Sequence, residues 1–188
     1  GGGTLTFSEI ENIAYSGAVD GTSANDTMGV GYTDMHGDQI DGSDGLDDTI
    51  FGYGGNDSIT AGQGADLVYG GDGEDTVNGS TGNDTIFGGN NTDSLYGGDG
   101  NDVIDTGEGI NNLAYGGLGD DTMTGGTNFE VLFGDAGNDS LSGGAGADQL
   151  SGDDDNDTLS GGAGDDFLFG GQGLDIVSGD DGADQITG

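Results

Sequence analysis

Aliphatic side chains recur every nine residues over most of the chain, and the residues between them are mainly glycine or polar. The recurring positions are Ile50, Ile59, Val68, Val77, Ile86, Leu95, Ile104, Leu113, Met123, Leu132, Leu141, Leu150, Leu159, Leu168, Val177 and Ile186. Neighbouring side chains of a β-strand point to opposite faces, so a strand centred on each position directs one aliphatic side chain inward. The pattern predicts many three-residue strands around a narrow core.

A second pattern has the same period. In the frame G-G-x-G-x-D-x-U-x, where U is aliphatic, the sixth position is Asp48, Asp57, Asp66, Asp75, Asp84, Asp93, Asp102, Asn111, Asp121, Glu130, Asp139, Asp148, Asp157, Asp166, Asp175 and Asp184. The glycine-rich half of each unit suits a tight turn with positive φ. Short strands and turns of fixed length predict a solenoid in which each strand pairs in parallel with its copy one coil later. We place one extra residue near Asp47 and another at Tyr115.

The charge of the chain restricts its partners. It has 37 acidic residues, no lysine or arginine and a formal net charge of −37, so it does not suit nucleic acid or anionic membranes. Two carboxylates about 5 Å apart repel by about 3 kcal/mol at an effective dielectric constant near 20. A compact state therefore needs cations from solution. The 47 glycines would otherwise favour a disordered chain.

Other sequence features add little. There is no cysteine, hence no disulfide framework. We find no membrane span and no signal peptide, and because the chain begins "GGGTLTF" without an initiator Met, we interpret it as a piece of something longer.

The units "GGDGEDTVN", "GGDGNDVID", "GGAGADQLS" and "GGAGDDFLF" resemble the calcium-binding nonapeptide of RTX (repeats-in-toxin) proteins. The resemblance implies an all-β fold, a right-handed parallel β-roll with two nonapeptides (18 residues) per coil, over residues 42–188 and irregular around 105–133. It also implies calcium ligands at the fourteen aspartates of the sixth position, helped by turn carbonyls. Asn111 and Glu130 are weaker candidates.

Aspartates 18 residues apart would then flank each ion. Ten pairs have this spacing: 48/66, 57/75, 66/84, 75/93, 84/102, 121/139, 139/157, 148/166, 157/175 and 166/184. We expect about ten well-formed Ca²⁺ sites, and weaker or absent calcium at 93/111, 102/121, 111/130 and 130/148. The alternative is that the aspartates only cap turns.

Residues 1–41 are irregular and are expected to cap the solenoid, with a short strand around Thr4–Phe7. Asp26–Met28 and Asp38–Ile40 keep the Asp-x-U signature of a degenerate repeat, which makes Asp26, Asp34 and Asp38 further, unsupported ligand candidates. His36, the single histidine, is expected to be a surface residue. No HExxH or GxSxG motif is present, and we expect no enzyme activity.

Outward-facing apolar residues form a separate feature. Phe51, Tyr69 and Phe87 lie 18 residues apart and should stack on one face, joined by Leu67 and Val103. Val131 with Phe133, and Phe167 with Phe169, are expected to form smaller patches on the opposite sheet. These residues either stabilise their own sheet or form a contact surface.

Two functions are compatible with the sequence. The first is a calcium-binding module of a secreted bacterial protein, extracellular or at the cell surface, exported by type I secretion and disordered until it meets calcium. The second is a self-assembling structural protein that forms filaments, a surface layer or a matrix through its apolar faces or coil ends. An ice-binding solenoid would need a regular Thr or Asn array, and the mixed residues at the turn positions disfavour it.

Overall fold

The strands alternate between two parallel sheets. The computed structural model describes residues 18–33, 39–40 and 45–188, and every regular element within them is a β-strand. Sheet A contains β1 (Val19–Asp20), β3 (Thr49–Phe51), β5 (Leu67–Asp72), β7 (Thr85–Asn90), β9 (Val103–Asp105), β11 (Thr122–Thr124), β13 (Ser140–Ala145), β15 (Thr158–Ala163) and β17 (Ile176–Asp181). Sheet B contains β2 (Thr27–Met28), β4 (Ser58–Gln63), β6 (Thr76–Thr81), β8 (Ser94–Asp99), β10 (Asn112–Leu118), β12 (Glu130–Ala136), β14 (Gln149–Asp154), β16 (Phe167–Gln172) and β18 (Gln185–Thr187).

Each strand pairs with the strand one coil before it and the strand one coil after it. Val68 of β5 aligns with Ile86 of β7, and Val77 of β6 aligns with Leu95 of β8, 18 residues on in both cases. Parallel pairing at this spacing confirms the predicted all-β solenoid with two units per coil.

The core is a single file of side chains from each sheet. Buried aliphatic or Met residues from the eighth position run from Ile50 to Leu168. Val177 is only partly buried, and Ile186 in the last coil is 51% exposed. The core is thin, since one side chain from each strand fills it.

Most strands are longer than the predicted three residues. Strand β4, for example, covers six residues and continues through the glycine at position 62. In most units the first glycine of the pair is buried and has no positive φ, as in Gly70 of β5, so the parallel ladder continues past the aliphatic residue. The predicted length was wrong because glycine was assigned wholly to turns.

The second extra residue lies in a turn and not at Tyr115. Ala114, not Leu113, is buried in the core, and Tyr115 aligns with Tyr96 and Phe133 in an unbroken ladder. An extra residue inside a strand would interrupt ladder hydrogen bonds, whereas a surface turn absorbs it easily. The predicted register was therefore wrong here, and Asn112 takes the position assigned to Asn111.

The described part of the N-terminal segment continues the solenoid. Val19 aligns with Ile50, and Met28 aligns with Ile59, so β1 and β2 form a coil ahead of β3 and β4. Asp26–Met28 thus acts as a repeat, with a longer connection before the next coil. The strand expected at Thr4–Phe7 lies outside the described residues.

Aromatic stacks run along both sheets. Phe51, Tyr69 and Phe87 stack as predicted on sheet A, with ring centroids 4.9 and 5.0 Å apart. On sheet B, Tyr96, Tyr115 and Phe133 form a second stack, at 5.3 and 4.9 Å. The sequence reasoning missed this second stack because it placed the extra residue at Tyr115.

Candidate metal centre

The sixth-position side chains line two edges of the solenoid. The first edge, where the chain passes from sheet B to sheet A, carries Asp48, Asp66, Asp84, Asp102, Asp121, Asp139, Asp157 and Asp175. The second edge, where it passes from sheet A to sheet B, carries Asp26, Asp57, Asp75, Asp93, Asn112, Glu130, Asp148, Asp166 and Asp184. The predicted pairs therefore lie one coil apart on the same edge.

One carboxylate oxygen of each aspartate joins successive coils. The backbone N–H of Asp66 donates to Oδ1 of Asp84 at 2.8 Å, and the N–H of Asp75 donates to Oδ1 of Asp93 at 2.9 Å. The pair Asp102 and Asp121, for which we expected weaker calcium because of its 19-residue spacing, makes the same bond at 2.7 Å. The aspartates thus act as structural acceptors, whatever else they bind.

The second carboxylate oxygen is buried and accepts no hydrogen bond. This holds for Oδ2 of Asp57, Asp75, Asp84, Asp93, Asp102, Asp121, Asp139, Asp148, Asp157 and Asp166. These side chains are between 0% and 3% exposed. Burying a charged oxygen without a partner is costly, so the arrangement requires a positive group in the turn or a proton on the carboxylate.

A glycine opposite each of these aspartates leaves room for this oxygen. A Cβ built on Gly88 would lie 2.7 Å from Oδ2 of Asp93, and one built on Gly70 would lie 2.7 Å from Oδ2 of Asp75. The first glycine of these units thus packs directly against the carboxylate, whereas the buried Ala61 takes the equivalent position before Asp66. Among the described residues no three acidic or His side chains meet at one point, so a cation here would also need turn carbonyl oxygens, which calcium accepts.

Burial raises the pKa of these carboxyl groups. The pKa rises to about 7 for Asp84, Asp93 and Asp121 and to about 6 for Asp139, with loss of solvation as the main cause and neighbouring carboxylates as a further one. Without a cation, the fold therefore favours the protonated acids.

We expect the calcium-free fold to become less stable as pH rises from about 4 to about 7. The unfolded chain has carboxyl pKa values near 4, so the folded state binds more protons within this window, and stability is lost as pH passes through the folded pKa. Protein stripped of calcium on a chelating resin should show more β signal by far-UV circular dichroism at pH 5 than at pH 8.

Two variants of equal charge provide the control. Replacing Asp84, Asp93 and Asp121 by Asn should flatten the pH dependence, because these buried groups titrate in the window. The same replacement at three exposed acids, Asp99, Asp155 and Asp181, should leave it nearly unchanged. Equal slopes for both triple variants would contradict the assignment to the buried carboxyls.

Comparison with known proteins agrees with this geometry. A family model described as "RTX calcium-binding nonapeptide repeat (4 copies)" matches residues 36–68, 43–77, 69–104, 78–113, 106–129, 124–159 and 151–186. The chain belongs to the RTX calcium-binding repeat family. A comparison with curated proteins finds no match. No described helix is long and apolar enough to cross a membrane.

The RTX repeat is altered at one point of the second edge. Oδ1 of Asn112 accepts the N–H of Asp93 at 2.9 Å, as an aspartate would, but Nδ2 donates to the carbonyl oxygen of Thr106 at 3.2 Å. Thr106 also replaces the first glycine of the RTX unit. The side-chain N–H of Asn112 thus takes the place of the positive group that the buried carboxylates of the neighbouring turns need.

Glu130, in the next coil of the same edge, is also unusual. It is fully buried, and its carboxyl group lies against the side chain of Asp148 and the backbone of Gly126. Burial, together with the adjacent Asp148 carboxylate, raises the pKa of Glu130 to about 8. Its N–H still donates to Oδ1 of Asp148 at 2.9 Å, so the coils remain joined here.

The first edge carries a ladder of Asn and Asp side chains that the sequence reasoning missed. Asn83 Oδ1 accepts the N–H of Asn101, Asp120 Oδ1 accepts the N–H of Asn138, and Asn156 Oδ1 accepts the N–H of Leu174, at 2.8–2.9 Å. The recurrence of Asn one residue before the aspartate every second RTX unit was the available signal. This ladder joins coils without any ion.

The remaining candidates lie at or beyond the N-terminal coil. Asp26 differs from the aspartates of the later repeats, because its Oδ2 accepts hydrogen bonds from the N–H and the hydroxyl of Thr22 at 2.7 and 2.8 Å. Asp34, His36 and Asp38 lie outside the described residues.

Proposed function

We propose that this chain is a calcium-binding RTX module whose aspartates at the two edges hold a row of Ca²⁺ ions, about ten in all, and which folds only when they bind. The observation that carries the proposal is the series of buried Oδ2 atoms without hydrogen-bond partners. Each one lies against a glycine that leaves space beside it. Calcium, when bound, would supply positive charge and would be coordinated by carboxylate and carbonyl oxygens together.

The charge of the chain supports a folding switch. With 37 acidic residues and no lysine or arginine, repulsion opposes every compact state in the absence of cations. The core is one side chain wide, and glycine loses more backbone entropy on ordering than other residues. Because a preformed site rarely exists in an unfolded chain, metal binding contributes directly to folding.

We further infer that the module belongs to a protein exported from a bacterial cell, with type I secretion as the route that the family resemblance implies. A chain that stays extended where calcium is scarce and folds where it is abundant suits passage through a secretion channel. The absence of cysteine means that calcium, not disulfides, would stabilise the fold outside the cell. No enzymatic role is proposed for these repeats.

Calcium titration of metal-stripped protein tests the proposal. Far-UV circular dichroism and light scattering are recorded together, with Mg²⁺ at equal concentration as the control. A cooperative gain of β signal in calcium alone, with constant scattering, is the expected result. A β signal that does not change up to millimolar calcium would overturn it.

The alternative function is self-assembly into an extracellular filament, surface layer or matrix. Exposed apolar residues on the sheet faces favour it, namely Val103, Phe167 and Phe169, which are 46%, 52% and 46% exposed. Scattering that rises together with the β signal in the same titration would support this alternative.

The altered repeat gives a further prediction. The double variant Thr106→Gly, Asn112→Asp restores both the glycine and the carboxylate of a regular RTX turn, so we expect it to bind at least one calcium more than the natural chain. The single variant Thr106→Gly is the control, because it retains the amide that bonds to the carbonyl of residue 106. Stoichiometry from native mass spectrometry measures the difference, and equal numbers of ions in all three proteins would contradict the role of the amide.

A further inference from the structure

The aromatic stack on sheet B is interrupted by a single small residue. Phe133, Ser151 and Phe169 occupy the same register position on the adjacent strands β12, β14 and β16. Their side chains face outward, alternating with the buried Leu132, Leu150 and Leu168. Ser151 therefore separates two phenyl rings in a row where a third ring would fit.

The width of this gap matches one planar ring. Two strand spacings separate Phe133 from Phe169, which is about 9–10 Å. Rings that do stack on this sheet have centroids 4.9 and 5.3 Å apart, so one ring placed above Ser151 would stack on both neighbours. The gap forms a groove of about 280 Å³, lined by Phe133, Gln149, Leu150, Ser151, Phe167, Leu168, Phe169, Gln185 and Thr187.

Two carboxylates lie just outside the residues that line the groove, on the side of Ser151. Asp135 and Asp153 pair across β12 and β14, two residues beyond Phe133 and Ser151. The hydroxyl of Ser151 donates to Oδ1 of Asp153 at 2.9 Å, which places this carboxylate beside the gap. Neither aspartate is a sixth-position residue, although both lie in the turns that lead to Asp139 and Asp157 of the first edge and help to raise the pKa of those two carboxyl groups. The chain has no lysine or arginine to neutralise them.

We propose that this groove binds a small molecule consisting of a planar aromatic ring with a positively charged amine. The ring stacks between Phe133 and Phe169, and the amine lies near Asp135 and Asp153. Flat rings stack on both faces at this separation, and a cation is favoured beside carboxylates that have no basic side chain near them. A saturated ring has no flat π face, so it gains only dispersion contacts with the two phenyl rings and no aromatic stacking.

Tryptamine is a suitable probe, because the protein contains no tryptophan and the indole emission reports binding directly. Calcium-saturated protein is titrated at physiological salt, and its β signal is checked in the same sample. We expect saturable binding of tryptamine, about tenfold or more weaker binding of 2-cyclohexylethylamine, and weaker binding of indole-3-acetate. Equal affinity for tryptamine and the cyclohexyl amine would overturn the proposal.

Substitutions locate the site. Ser151→Phe fills the gap and should abolish saturable tryptamine binding. Ser160→Phe, at the equivalent position of β15 between Ser142 and Ser178, should preserve it.

A second variant tests the site if Ser151→Phe does not regain β signal in calcium. The double variant Asp135→Asn, Asp153→Asn should weaken tryptamine binding and leave the binding of uncharged indole unchanged. Equal loss in Ser151→Phe and Ser160→Phe, or no effect of the double variant, would refute the site. If the natural chain shows no calcium-dependent β signal, that result contradicts the proposed calcium-dependent folding and does not test the groove.

Discussion

Asp139→Asn is expected to destabilise the protein in calcium and to stabilise it in chelator. Oδ1 of Asp139 accepts the N–H of Asp121 at 2.7 Å, and Oδ2 is buried without a hydrogen-bond partner. The asparagine keeps the acceptor and removes the charge, as Asn112 does naturally. In chelator the replacement removes a buried carboxyl whose pKa burial raises to about 6, whereas in calcium it removes a ligand.

Asp139→Ala separates the two roles of the side chain. It also removes the acceptor and leaves the buried N–H of Asp121 unpaired, which costs about 1–3 kcal/mol. It should therefore be less stable than Asp139→Asn both in calcium and in chelator. In calcium we expect both variants to lose at least about 2 kcal/mol.

Urea midpoints followed by circular dichroism measure this order, with an osmolyte added to the chelator samples so that the metal-free fold is populated. Exposed Asp155 supplies the control, because Asp155→Asn removes the same charge from the surface. Equal stability of the natural chain and Asp139→Asn in calcium would contradict the proposed ligand role. A natural chain that is more stable than Asp139→Asn in chelator would contradict the proposed cost of the buried carboxyl group.

Gly164→Ala is expected to cost about 3–5 kcal/mol of stability in saturating calcium. Gly164 has a φ of +145°, a conformation that side chains rarely adopt, and an added Cβ would overlap the carbonyl oxygen of Gly146 in the preceding coil. Because the coils are fixed at one strand spacing, the two turns have no room to separate.

Gly54→Ala is the matched control. Gly54 lies in the connection between β3 and β4 and forms a parallel bridge with Asp72. The nearest atom to an added Cβ is the carbonyl oxygen of Asp72 at 3.5 Å, an ordinary contact, and the φ of Gly54 lies outside the positive range. We expect a change below about 1 kcal/mol. Similar urea midpoints for Gly164→Ala and Gly54→Ala would show that the coils tolerate the added methyl group.

The repeat determined the architecture without any tertiary information. A nine-residue period with one aliphatic residue allows one inward side chain per strand, and two units per coil place residues such as Val68 and Ile86 side by side. For the same reason the sequence predicted which aspartates are neighbours and that Phe51, Tyr69 and Phe87 stack. Regular spacing was sufficient for these predictions because every coil repeats the geometry of the last.

Only the tertiary structure decided which residues point inward where the nine-residue repeat is interrupted. Between Val103 and Tyr115 the sequence allows either Leu113 or Ala114 to point inward, and hydrophobicity alone favours leucine. The intact ladder of β10 with both neighbouring strands selects Ala114, because a turn accommodates an extra residue more easily than a strand does. That choice brings Asn112 to the edge and Tyr115 into its stack, and neither follows from composition or spacing. Local pattern thus fixes each regular coil, whereas the pairing of whole strands fixes the exceptions.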